Sequence, residues 1–420
     1  MYKVTRLENG LTVATAEMPH MASVSIGIWV GVGGRYEPAR WSGVSHFIEH
    51  LLFKGTRRRT AREISQAVEG IGGYLNAFTS EEHTCFYAKA RHDHFPRLLD
   101  VLADMFLYST FDPAEIDKER EVIKEELAMY KDQPQQYVQE LLNATMWPDQ
   151  PLGRSITGTE KTLDALQRAQ VLEYQKQNYV APATLLAAGG RITHREVVAL
   201  AGKYARKFAG GARPCCAPAV SNQSKPMVRL LTKKTEQTQI ALGIRACSRH
   251  DERRFAFRLL NAVLGENMSS RLFQTVREDH GLAYSIYSAN SFFDDAGDLV
   301  IAAGLDTDNL EKTLKLILRE LKRLASQLVP APELRRARDY LIGQLDLGLE
   351  NSENQMMWAG EQWLGYGKIT HPDEFKKRLT AVTAGQVRAT ARDFLRPDRF
   401  SLALISPLKS APGLEKLLAG

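Results

Sequence analysis

The chain has 420 residues, 44% of them hydrophobic and 25% charged, with a formal net charge of +6. That length exceeds one ordinary hydrophobic core and predicts two domains, and the composition excludes a largely disordered chain. No apolar run approaches the roughly 20 residues that span a bilayer as a helix, so no membrane association is expected.

The start of the sequence lacks the apolar segment of a secretory signal and reads as a strand, which makes a cytoplasmic location the expectation. Four cysteines, Cys85, Cys215, Cys216 and Cys247, form no C-x-x-C pair and read as reduced thiols. The isoelectric point near 9.0 raises nucleic acid as a partner. The basic residues are scattered, however, and the densest run, 54–62, reads as a solvated loop, so no nucleic acid is expected.

Residues 2–7 and 11–15 read as a hairpin across Asn9-Gly10. Residues 23–32 alternate Val24, Ile26, Ile28, Val30 and Val32 with small residues and Trp29, a strand with one buried face, broken by Gly31, Gly33 and Gly34. A helix over 43–54 follows, then helix near 61–70, strand material over 74–90, and a helix near 95–107. A long helix runs from 113 to about 131, and mixed signals near 160–207 complete the first half. Between 208 and 226 the pattern dissolves into linker composition.

The second half repeats the order of the first. Strand 237–244 corresponds to 23–32 and helix 252–264 to 43–54. Paired strands at 282–291 and 297–304, a helix at 310–324 and a closing strand at 400–405 follow. The expectation is an α+β fold of two homologous domains, each a mainly antiparallel sheet with helices packed on it. The expected domains are 1–210 and 227–420, joined by a linker over 211–226.

Within the 43–54 helix, Val44, Phe47, Ile48, Leu51 and Leu52 make an apolar stripe. Ser42 is placed to cap its start and Gly55 to end it. His46 and His50, at i and i+4, project side by side and can share one Zn²⁺, with Glu49 close enough to act on water without ligating. A catalytic zinc needs a third protein ligand. The helix that opens with Asp112 as cap and Pro113 at its first position offers Glu119 and Glu126 on one face.

His46-Phe47-Ile48-Glu49-His50, followed by Glu126 in Val-Ile-Lys-Glu-Glu, resembles the pitrilysin/insulysin family of inverted-motif zinc peptidases. The closest subgroup in size is the short one, which includes mitochondrial processing peptidase and its bacterial homologues. Two further stretches match: Gly72-Gly73-Tyr74-Leu75-Asn76-Ala77-Phe78-Thr79, and Asn267 to Phe273 with Arg277 and Tyr284 beyond it. The resemblance covers essentially the whole chain.

The resemblance implies one Zn²⁺ per chain, held by His46, His50 and Glu126, with Glu125 the neighbour that could be confused with Glu126. It implies Glu49 as the base that activates water and Glu119 as the group that orients a ligating histidine. Asn76, Ala77 and Phe78 would form a strand that pairs with substrate backbone, and Arg277 and Tyr284 would bind substrate carbonyls. The expected function is that of a zinc metalloendopeptidase acting on unfolded peptides or extended segments inside an enclosed chamber. A homodimer is expected, because both residue sets lie in one chain; a partner chain of the same family is the other possibility. A catalytically silent structural subunit and a nucleic-acid binder are the alternatives.

Overall fold

The computed structural model describes residues 2–420. Among the described residues, eleven strands fall into two sheets. The first holds β1 (Tyr2–Arg6), β2 (Thr12–Glu17), β3 (Ser23–Val30), β4 (Tyr74–Thr79), β5 (Thr84–Arg91) and β6 (Thr184–Gly190), in the order β1-β2-β6-β3-β5-β4. The second holds β7 (Met227–Thr232), β8 (Thr238–Ala246), β9 (Ala283–Phe292), β10 (Gly297–Leu305) and β11 (Phe400–Ser406), in the order β7-β11-β8-β10-β9.

Each sheet is antiparallel except for one pair, β2 with β6 in the first and β7 with β11 in the second. Removing β1 makes the two orders superimpose strand for strand. The fold is α+β, and the halves are built on one plan, as the repeated sequence pattern predicts.

The helices of the first half are α1 (Val44–Leu52), α2 (Ala61–Glu69), α3 (Phe95–Tyr108), α4 (Pro113–Lys131), α5 (Pro134–Met146), α6 (Glu160–Ala165), α7 (Arg168–Asn178) and α8 (His194–Ala205). Those of the second are α9 (Arg254–Leu264), α10 (Leu310–Ser326), α11 (Ala331–Gly348), α12 (Ser352–Tyr366), α13 (Pro372–Ala381), α14 (Ala384–Phe394) and α15 (Leu414–Ala419).

The chain forms two compact units, and neither is one continuous stretch. The first comprises Met1–Leu127, Arg154–Ala217 and Asp346–His371; the second comprises Ala128–Gly153, Pro218–Leu345 and Pro372–Gly420. Each sheet therefore receives one helix from the other half of the sequence. In the first unit, α12 lies on the face of the sheet opposite α1 and α3, where Met356 and Ala359 meet Trp29, Cys85, Leu185 and Ala187. In the second, α5 covers the corresponding face, with Val138, Leu141 and Leu142 against Ala241, Ala403 and Ile405.

This exchange alters one expectation. Strand β3 is buried along nearly its whole length on both faces, not on one. Trp29, in register with the small residues of the second face, is fully buried, and its indole Nε1–H points at the Met356 sulfur at 3.3 Å. An alternating pattern marks one buried face only where the other meets water; here α12 supplies the second cover. The main core of the first unit, on the opposite face, sets Val44, Phe47, Ile48, Leu51 and Leu52 of α1 against the sheet. That stripe fixes which way the polar side of α1 points.

Candidate metal centre

Helix α1 starts differently from the sequence expectation. Its first flanking residue is Gly43, at φ 96°, and no side chain of its own caps the helix. Ser42 instead donates to the Ser155 carbonyl at 3.5 Å. The cap comes from outside: the Glu37 carboxylate accepts the Gly43 and Ser45 N–H groups at 2.7 and 2.8 Å. A Cβ at Gly43 would fall 2.7 Å from the Thr157 carbonyl oxygen, so both backbone hand and space require glycine there. The helix ends at Leu52, before Gly55.

Burial of the apolar stripe turns His46, Glu49 and His50 toward α4 and β4. His46 Nε2 lies 3.7 Å from Glu126 Oε2, and His50 Nε2 lies 3.8 Å from the same oxygen. The ligating atoms of these three residues all fall within 4.8 Å of one another, the one such group among the described residues. Tetrahedral zinc, with bonds of about 2.0–2.2 Å, places its donors roughly 3.3–3.6 Å apart. Two imidazoles and one carboxylate also match a catalytic donor set that leaves one position free. The residues fit Zn²⁺. Glu125 is exposed and outside the group.

Burial, with His50 beside it, pushes the His46 pKa down to about 3, so the imidazole stands in the neutral, ligating form. The second nitrogen of each histidine faces a different environment. His50 Nδ1 meets Glu119 Oε2 at 3.1 Å, while Glu119 Oε1 pairs with Lys54 Nζ at 2.7 Å. His46 Nδ1 is buried without a hydrogen-bond partner. Glu119, itself buried, thus fixes the tautomer of one ring and leaves the other to packing.

Glu49 is held by Thr79, the last residue of β4, whose Oγ1 donates to Glu49 Oε2 at 2.5 Å. Burial raises the Glu49 pKa above the usual carboxylate range, and the Thr79 hydrogen bond opposes that rise. A raised pKa suits a group that must take up a proton and give it back near neutral pH.

Strand β4 lies at the edge of its sheet, with one side free of a strand partner. Ala77 faces the α1 core, whereas Phe78 lies on the other face, edge-on to Trp29 at 5.5 Å between ring centroids. Asn76 is exposed, and its Oδ1 accepts the Ala77 N–H at 2.8 Å.

Arg277 and Tyr284 belong to the second unit and meet each other there. Arg277 sits on the π-helical segment Phe273–Asp279, its guanidinium 4.8 Å from the Phe273 ring centroid and 5.1 Å from that of Tyr284. Tyr284 is 79% exposed, which sets aside a core role for this aromatic. Helix α9, which packs against its own sheet as α1 does in the first unit, contains no histidine or carboxylate.

Residues 12–160 match the family described as insulinase (peptidase family M16), and residues 165–341 match the peptidase M16 inactive domain. Two curated relatives are each 38% identical. One is YmxG of Bacillus subtilis, named an uncharacterized zinc protease, aligned over 98% of this chain and 100% of its own. The other, from Streptomyces coelicolor and named in the same way, aligns over 96% of this chain and 89% of its own.

The chain belongs to peptidase family M16.

Among solved structures of the same fold, a protease from Helicobacter pylori gives a TM-score of 0.91 at 19% identity, covering 97% of this chain and 99% of that one. A peptidase M16 inactive domain from Pseudomonas fluorescens gives 0.90 at 18%, with the same coverage. The M16 assignment agrees with the asymmetry between α1 and α9. The half matched to the insulinase domain carries the donor cluster, and the half matched to the inactive domain has apolar residues along the corresponding helix.

Sequence reasoning passes over Thr79, Glu37 and Arg35, and it reads Lys54 as the start of a solvated basic run, whereas Lys54 pairs with Glu119. Lys54 was legible in principle, four residues beyond His50 on the same helical path. Thr79 enters the sequence reading only as the end of the 72–79 stretch. Glu37 and Arg35 carried no local signal, because their partners lie in other elements.

Proposed function

We propose that this chain is a zinc-dependent endopeptidase that hydrolyses extended polypeptide. The observation that carries the reading is the convergence of His46, His50 and Glu126, with Glu49 on the same helix beside them. His46, His50 and Glu126 would hold zinc, which would supply the Lewis acid for the scissile carbonyl. Glu49 takes a proton from the attacking water and delivers it to the leaving amine. Glu119 holds His50 through Nδ1, and Lys54 balances the charge of Glu119. The open edge of β4 is suited to pair with the backbone of an extended substrate, reading shape more than sequence. Arg277 and Tyr284 are assigned to substrate carbonyls, on the exposure of Tyr284 and the stacking of the pair. Two copies of the chain would enclose a chamber that admits unfolded segments, in the cytoplasm.

The intact donor set and base speak against a silent structural subunit. The basic run at 54–62 gives little support to a nucleic-acid binder. Arg58 is committed to Asp100 at 3.1 Å and Arg59 to Asp104 at 2.7 Å, so these charges bind the loop to α3.

The test is incubation of purified protein with a diverse peptide library, with and without chelator, and mapping of cut sites by mass spectrometry. Chelator-sensitive cleavage is expected, with Glu49→Gln retaining zinc and losing activity. Cleavage by that variant at the wild-type rate, or none by the zinc-loaded wild type, would overturn the reading. Native mass spectrometry of the same sample reads the expected homodimer.

A further inference from the structure

Residues 33–37 join β3 to the segment that leads into α1, and their sequence reads as an ordinary break in a strand. In the folded chain they touch two other elements at once. On one side, Gly34 N–H donates to the Ser80 carbonyl at 3.0 Å and Arg35 N–H to the Glu81 carbonyl at 2.8 Å. The Arg35 guanidinium, with its side chain 0% exposed, pairs with Glu82 at 2.7 Å. These contacts grip the turn between β4 and β5. A Cβ at Gly33 would lie 2.1 Å from the Ser80 oxygen, so the approach is as close as backbone allows.

On the other side, the buried Glu37 carboxylate takes two N–H groups at the start of α1, as given above. Its own carbonyl accepts Arg154 Nη2 at 2.8 Å, which ties the segment to the loop before α6. Burial pushes the Glu37 pKa up to about 7, and the hydrogen bonds from Ser45 and Gly43 oppose that rise. The ionised carboxylate is favourable to the helix dipole, and the two hydrogen bonds fix the direction of the first turn. The first side chain of the candidate donor set, His46, follows Ser45 directly.

The two gripped elements are the ones whose meeting builds the candidate catalytic site. Helix α1 carries His46, Glu49 and His50; strand β4 ends at Thr79, which holds Glu49. We infer that Arg35 and Glu37 are positioning residues, a brace that sets α1 and the β4–β5 turn in one frame so that Glu49 meets Thr79 and both histidines meet Glu126. This rests on the reading of the site as a zinc peptidase, and it adds which residues outside the site hold it in register.

The two ends of the brace act on different things. Glu37 governs the helix that bears two of the three donors. Replacement by glutamine keeps the size, removes the charge and leaves one of the two N–H groups facing an amide NH₂. Glu37→Gln should therefore weaken zinc binding about tenfold, the lower end of what loss of a group supporting metal ligands costs, and lower kcat with KM little changed. Arg35 governs the turn that follows Thr79. Arg35→Met combined with Glu82→Met removes both charges of the ion pair together, and with them the Arg35 hydrogen bond to the Ala217 carbonyl. It should lower kcat about tenfold and leave zinc affinity within about twofold of wild type.

Zinc affinity is read by competition with a chromophoric chelator, and donor geometry by the visible absorption of the Co²⁺-loaded protein. Both work whether or not any peptide is cut, so failure of the peptidase reading is separable from failure of the brace. Glu320→Gln, a fully buried carboxylate in the second unit, is the control for general destabilisation. If Glu37→Gln does not fold, Glu37→Asp carries the test, since it keeps the charge but reaches only one of the two donors. Wild-type zinc affinity and Co²⁺ spectrum in the Glu37 variant overturn the inference. So does a loss of affinity that Glu320→Gln reproduces at equal loss of thermal stability.

Discussion

Thr79 Oγ1 donates to Glu49 Oε2 across 2.5 Å, tying the last residue of an edge strand to the carboxylate of the metal-site helix. Burial raises the Glu49 pKa and this hydrogen bond pulls it down. Removing the donor therefore raises the pKa further, and the carboxylate is protonated at a higher pH. Thr79→Val should move the acid limb of the activity profile upward and lower the maximal rate about tenfold, as expected for a misplaced general base. Thr79→Ser should restore both. A profile of kcat against pH for the three proteins checks this, and an unshifted acid limb in Thr79→Val would remove Thr79 from the site.

The Glu119 carboxylate sits between two partners, His50 Nδ1 at 3.1 Å and Lys54 Nζ at 2.7 Å. Glu119→Gln keeps the shape and loses the charge that fixes the His50 tautomer. Zinc affinity should fall about 10- to 100-fold, the usual range for groups that orient a ligating histidine. Isothermal titration of the metal-free protein measures it. An affinity equal to wild type would mean that packing alone orients the ring, as it does for His46.

His46 gives the metal-free protein a pH dependence of definite sign. Its pKa is about 3 in the folded chain against 6.5 as the ordinary value, because burial disfavours the imidazolium. Below the ordinary value the unfolded chain binds a proton that the folded chain refuses. Stability from this group is therefore full above that value and is lost as pH falls toward the folded pKa. At about pH 5 the loss is about 2 kcal/mol. Urea midpoints of chelated wild type and His46→Leu at about pH 7.5 and about pH 5 test it. The drop between the two conditions should be smaller in the variant.

How much of this was readable in advance depended on how local each relationship is. His46, Glu49 and His50 lie within one and a half turns of helix, so periodicity alone sets them side by side. Glu126 has no local tie to them, and the resemblance to a family singled it out from Glu119 and Glu125 before its geometry did. The α1 cap was misread for the same reason. Capping rules look to the residue beside the helix, and Ser42 has the right chemistry, but the carboxylate that does the work arrives from Glu37 through a bend in the chain. The repeat of strand order was legible because hydrophobic period and turn residues are local. The exchange of α5 and α12 between sheets was not, since a helix's apolar stripe states that it needs cover and not which sheet will give it.

That exchange has its own consequence at Gly360 on α12. The helix crosses the sheet directly over Trp29, and a Cβ at Gly360 would fall 2.3 Å from the indole Cε2 atom. Trp29 cannot yield toward the opposite side, because it is fully buried between neighbours on β5 and β6, where Cys85 and Leu185 are its register partners. Alanine is the better helix former by about 1 kcal/mol, so on propensity alone Gly360→Ala should stabilise. Overpacking a filled core typically costs about 1–3 kcal/mol, and contact with a rigid ring system belongs to the upper part of that range. The clash wins, and Gly360→Ala should lower stability by about 1–2 kcal/mol net. Urea unfolding of the metal-free protein measures it, and a variant as stable as wild type would show that α12 can shift across the sheet.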